Sequence, residues 1–161
     1  MSQNAVSEKT NGKTISKKIE IRGIEFAVAL PEKTAAGNSL NIVLIVKNDR
    51  KEEIAYCEST PRLLHLTMQD AKGAAVPLTR FGDFALGKRK GPIDDGRKAS
   101  VFVPPGKAVT ESFNLGRVFD LSMAGSYKFS LKRDVRPHVK SNSEVPMEIK
   151  DIAFEITNPQ R

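Results

Sequence analysis

From Ile19 onward the apolar residues fall on every second position, the period of a half-buried strand. Ile19 and Ile21 share one parity; Ile24, Phe26, Val28 and Leu30 take the other. The slip falls at Gly23, where a β-bulge costs little, so one long bulged strand is predicted, ended by Pro31. "AAGNSL" (35–40) is a turn signal. It leads into "LNIVLIVKN" (40–48), where Leu40, Ile42, Leu44 and Val46 line one face while Val43 and Ile45 are apolar on the other, as in a central strand. A charged connection, "NDRKEEI" (48–54), precedes "LLHLTMQD" (63–70), with Leu64, Leu66 and Met68 in phase and His65 on the outer side. "DAKG" (70–73) has Asp first and Gly fourth, the preference of a type I turn. "AAVPL" (74–78) then reads as a short edge strand, since Pro77 cannot donate to a ladder.

Residues 79–99 break this rhythm with four glycines and one proline, and predict a long irregular connection pinned by burial of Phe81 and Phe84. "SVFVPPGKAVTESFNL" (100–115) gives a short strand, a Pro-Pro-Gly turn and a strand carrying Val109, Glu111, Phe113 and Leu115 on one parity. Glu111 among apolar neighbours points to a sheet margin or a register shift. "VFDLS" (118–122) predicts one helical turn. Tyr127, Phe129 and Leu131 then alternate with polar residues, and Val145, Met147 and Ile149 change parity to Ile152, Phe154 and Ile156, which predicts a bulge or sheet switch near Lys150 and Asp151. Residues 1–17 are polar and without periodicity, so a flexible tail followed by one domain over 18–158 is expected.

"DLSMAGSYKFSLKRD" (120–134) is the most informative stretch. A Tyr just after a tight turn, opening a late strand, is the tyrosine corner of Greek-key sandwiches. Tyr127 is expected to bond backbone a few residues upstream, Gly125 to take the positive φ of the corner, and Asp120 or Ser122 to cap the preceding turn. As a catalytic carboxylate Asp120 has no partner near it in the chain. The fold expected is all-β: an immunoglobulin-like antiparallel β-sandwich.

"VPPGKAVTESFNLGRVFDLSMAGSYKFSLKR" (103–133), with the strand closing on Lys-Asn and the strand–Asp-x-x-Gly–strand hairpin before it, resembles a family of bacterial immunoglobulin-like domains. They are similar to the small sandwiches beside secreted peptidases of the deuterolysin type and, more loosely, to the intracellular proteinase inhibitor fold. The resemblance spans roughly residues 19–157 and implies a non-catalytic accessory domain.

Charge adds one candidate. The 161 residues carry 26 Lys and Arg against 19 Asp and Glu, a formal +7, which favours anionic partners. Lys88, Arg89, Lys90, Arg97 and Lys98 form one basic loop; Lys132, Arg133, Arg136, His138 and Lys140 form a second cluster. Converging at one end of a sandwich, they would make an anion-binding patch; the other reading is a solvated, solubilising loop. His65 and His138 lie too far apart, and the single Cys57 stands alone, so neither a metal site nor a cofactor nor a nucleophile is expected. No phosphate loop and no 18-residue apolar run occurs. The N-terminus has no apolar leader, which leaves a cytoplasmic protein or a secreted or periplasmic one whose signal has been removed. The expectation is a protein that is not an enzyme and binds a protein through sandwich-end loops. Binding of cell-wall polymer or nucleic acid by charge, and peptidase inhibition, are the alternatives.

Overall fold

A computed structural model describes residues 13–57, 65–86 and 100–159. Among them are ten strands: β1 (Thr14–Ile21), β2 (Ile24–Pro31), β3 (Lys33–Ala35), β4 (Asn41–Asn48), β5 (Ile54–Cys57), β6 (His65–Asp70), β7 (Ser100–Val103), β8 (Ala108–Asn114), β9 (Gly125–Arg136) and β10 (Val145–Thr157). One short helix, α1 (Arg80–Ala85), and a 3-10 turn at Leu115–Arg117 complete the elements.

The strands form two sheets, ordered β1-β2-β4-β8 and β3-β10-β9-β5-β7, with β6 also on β9. All pairs are antiparallel except β3 with β10. β5 and β6 follow one another along the same edge of β9, with Tyr56 opposite Val135 and His65 opposite Lys132. The inward positions are those the alternation marks. Ile24, Phe26, Val28 and Leu30 of β2 and Leu40, Ile42, Leu44 and Val46 of and before β4 meet Tyr127, Phe129 and Leu131 of β9 and Met147, Ile149, Ile152 and Phe154 of β10, all buried. Each such side chain contributes about 1.5–3 kcal/mol by leaving water. This is the expected immunoglobulin-like β-sandwich.

Three connections cross between sheets at one end: β2 into β3 past Pro31, β3 through residues 36–40 into β4, and β8 through residues 115–124 into β9. The last contains the corner. The Tyr127 hydroxyl donates to the Met123 carbonyl at 2.6 Å, and its ring stacks 5.6 Å from Phe154. Gly125 has φ +153°, and the Asp120 carboxylate accepts from the Ser122 amide at 3.1 Å.

Elsewhere the structure departs from the local pattern. Gly23 is not a bulge: Arg22 (φ 53°) and Gly23 (φ 78°) form a two-residue hairpin turn, with Ile21 opposite Ile24. That turn suits the right-handed twist of the strands it joins. Arg50 props it, its Nη1 donating to the Arg22 carbonyl at 2.7 Å. Ordered structure begins earlier than residue 18, since β1 starts at Thr14; the rest of the expected tail, 1–12, lies outside the described residues. Residues 74–78 make isolated bridges rather than a strand, Gln69 to Ala75 and Leu78 to Phe119. The helical turn sits at 115–117, ahead of 118–122, because Asn114 caps it by accepting from the Gly116 amide at 2.9 Å. The bulge near Lys150 is present; the register shifts between Ile149 and Ile152, and Asp151 has φ 56°.

Removing the corner hydroxyl with Tyr127→Phe should lower unfolding free energy by about 1 kcal/mol, the ordinary net worth of one hydrogen bond. Urea unfolding checks this; an unchanged midpoint would deny the corner its structural role.

Candidate functional site

The strand registers give the sandwich two distinct ends. At one, Asn48 organises the loops. Its side-chain nitrogen donates to the carbonyls of Glu52 at 2.7 Å and Val103 at 2.8 Å, and its oxygen accepts from the Arg50 amide at 2.8 Å. Its backbone pairs with Gly106 and Lys107. One buried amide thus ties together the loop after β4 and the turn between β7 and β8. Arg136, His138 and Lys140 lie at this end, where β9 runs out, with His138 3.9 Å from Glu52.

The opposite end holds the tyrosine corner. Three clefts among the described residues lie there. One of about 470 Å³ is lined by the 35–39 turn, Thr79, Asn114, Gly116 and Asp120–Ser122. The other two flank the Asp70–Gly73 turn and share Tyr127. The turn is fixed by Asp70, whose Oδ1 accepts from the amides of Lys72 at 2.9 Å and Ala74 at 3.0 Å. Hydrogen bonds from Ser122 hold the Asp120 carboxyl below its ordinary range. Burial, with Asp70 and Asp120 adding to it, pushes the Tyr127 phenol up. Asp120 is therefore an ionised turn cap with its charge engaged by the turn.

Three of the four large apolar side chains exposed among the described residues belong to this end: Phe81 (39 %), Phe84 (36 %) and Met123 (72 %). Burial of Phe81 and Phe84 was the expectation, and the structure reverses it because α1 is held by its backbone. Thr79 caps the helix, its oxygen accepting from the Gly82 amide at 2.9 Å, while its hydroxyl donates to the Arg117 carbonyl. The Thr79 amide donates to the Val118 carbonyl at 3.0 Å. Gly82 lies so near Val118 that a Cβ would fall 1.9 Å from its carbonyl oxygen. That contact turns Gly82 and Ala85 inward and both phenylalanines outward. The helix replaces the irregular connection expected over these residues.

The predicted convergence of the two basic clusters falls largely outside the described residues. Lys88, Arg89, Lys90, Arg97 and Lys98 lie outside them. Lys132 lies on the outer side of β9 with Asp134 at 3.9 Å. Arg133 is not a surface cation: its parity on β9 is that of Leu131 and Val135, and it is 2 % exposed. Its Nη2 stands 2.8 Å from Glu111 Oε2, and its guanidinium lies 4.3 Å over the Tyr56 ring. The contact is an ion pair by distance; neither terminal nitrogen makes a well-aligned hydrogen bond. Glu111 lies at a sheet margin, one of the two places expected for it: β8 is the edge strand of its sheet, its register is unbroken, and the inward carboxylate is answered across the sandwich by Arg133. Burial, then the Glu111 charge, pushes the Tyr56 phenol up to about 12.

Among the described residues no three of His, Cys, Asp and Glu group closely enough to hold a metal ion, and no helix is long and apolar enough to cross a membrane.

No protein-family model and no curated protein matches the chain. Among solved structures it is similar to the C-terminal domain of Wzt, at 12 % identity over 92 % of this chain and 82 % of that one, with a TM-score of 0.46. It is also similar to a structural-genomics target, at 12 % identity over 91 % and 85 %, TM-score 0.38. A β-glucosidase from Listeria innocua matches at 13 % identity over 90 % of this chain but 16 % of that one, TM-score 0.34. None of these links the chain to peptidase-associated domains or to an inhibitor.

Two measurements test this account of the interior. Glu111→Gln should cost about 3 kcal/mol by leaving Arg133 without its counter-charge, whereas Glu111→Leu with Arg133→Met should return to within about 1 kcal/mol of the wild type. If the double variant is as unstable as the single one, the pair is not the cause. For Tyr56, a folded-state value raised above the unfolded value near 10 favours the neutral phenol in the native state. The associated stability is full below pH 10 and is lost as pH rises toward about 12. Tyrosinate absorbance should show a step near pH 12 in the native protein that Tyr56→Phe removes; a native step at pH 10 for this residue would contradict its burial.

Proposed function

We propose that the chain is a non-enzymatic binding module that engages another protein through the loops at its tyrosine-corner end. The observation that carries this is the outward placement of Phe81, Phe84 and Met123 on segments fixed by hydrogen bonds. Exposed apolar side chains on a rigid support mark interaction surfaces, because they lose little conformational entropy when a partner covers them. The clefts beside them give a partner concave features to fill. Polyanion binding is the weaker reading: of the cations proposed for it and described, Arg133 is buried and Arg136 lies at the opposite end. Peptidase inhibition has no specific observation in its favour.

Affinity capture from the source cell's extract, washed at high salt, tests the reading. The wild type should retain a protein that Phe84→Ser with Met123→Asp releases, while Arg136→Glu with Lys140→Glu keeps it. Nucleic acid or anionic polymer that leaves with salt would instead support the charge-based alternative. Turnover of substrates in a hydrolase panel, abolished by a point change, would overturn the non-enzymatic assignment.

A further inference from the structure

We propose that α1 and the adjoining Arg117 form a docking patch for a protein segment in which apolar side chains stand between carboxylates. This rests on the protein-binding reading above and names its surface and the partner's chemistry. The Arg117 guanidinium sits 4.5 Å over the Phe81 ring, and Arg80 is exposed on the first turn of the helix. Neither arginine is ion-paired with a carboxylate among the described residues, although Asp83 lies on the same helix. A guanidinium stacked on an aromatic face keeps its fork of N–H donors in one plane and sheds hydration readily, which suits a bidentate carboxylate. The ring beneath it and Phe84 one turn on offer the apolar part of the same footprint. Interfaces concentrate their binding energy on such arginine and aromatic anchors.

The patch is also preorganised. The Thr79 cap, the Thr79–Val118 backbone bond and the close approach of Gly82 to Val118 tie α1 to the segment that carries Arg117. Arg117 itself ends the 3-10 turn capped by Asn114, so both halves of the patch are fixed from the same connection between sheets. The positive charge argues against a basic face in the partner, and the two phenylalanines argue against a purely acidic tail.

The test uses the full chain, isotopically labelled, and a capped synthetic peptide with one Leu-Phe pair between runs of Glu. Amide shifts should move within 79–86 and 115–119 and should vanish with the matched peptide bearing Lys for every Glu. Arg117→Glu should weaken the titration about tenfold or more, as expected for reversing the charge of an anchoring contact. Phe81→Ser should weaken it while amide positions outside 79–86 and 115–119 stay those of the wild type, showing that the sandwich is intact. No shifts, shifts elsewhere, or equal binding by Arg117→Glu would overturn the patch. Unaltered protein capture from extract by Phe81→Ser with Arg117→Glu would likewise exclude it while leaving the binding-module reading standing; no protein capture by the wild type would fail that reading itself.

Discussion

A guanidinium and a carboxylate placed between two apolar sheets must find each other. Arg133 of β9 and Glu111 of β8 do so at 2.8 Å. The two strands belong to different sheets, so the pair bridges one sheet to the other. The attraction is strong in that environment, and so is the desolvation it offsets; such a pair specifies an arrangement more surely than it adds net stability. Tyr56 completes the cluster, its ring beneath the cation and its hydroxyl 3.5 Å from Glu111.

The consequence reaches the candidate binding end through chain connectivity. β8 and β9 are joined by residues 115–124, which carry Arg117, the Asp120 cap and Met123 before closing on the tyrosine corner. Asn114 opens that connection by accepting from the amides of Leu40 at 3.0 Å and Gly116 at 2.9 Å. Helix α1 is then hung on the same segment through Val118. The outward aromatic residues are thus held at one remove from a core pair that joins the two flanking strands. The other end has its own fastening in Asn48, which uses its side chain to close loops rather than to open a surface.

Sequence pattern reads well where physics is local. The tyrosine corner needs Asp120, Gly125 and Tyr127 within one short stretch, and period two marks the inward residues of β2, β4, β9 and β10 without reference to any partner. It reads less well where two local solutions share one signature. A change of parity at Gly23 fits a bulge, and it fits equally a hairpin in which Ile19 faces Phe26 and Ile21 faces Ile24. Pairing across sheets has no signature at all. Glu111 and Arg133 each break an alternation on opposite sheets, and nothing in their spacing says that one answers the other. Phe81 and Phe84 are apolar residues in an irregular segment, for which burial is the reasonable expectation; only the contact of Gly82 with Val118 turns them outward.

The most direct measurement of the central claim is backbone amide hydrogen exchange on the full chain, alone and bound to the protein it captures. Binding should slow exchange in residues 79–86 and 116–124, while the loops at 49–53, 104–107 and 137–144 keep their free-state rates. Protection confined to those latter loops would contradict it and move the functional surface to the Asn48 end.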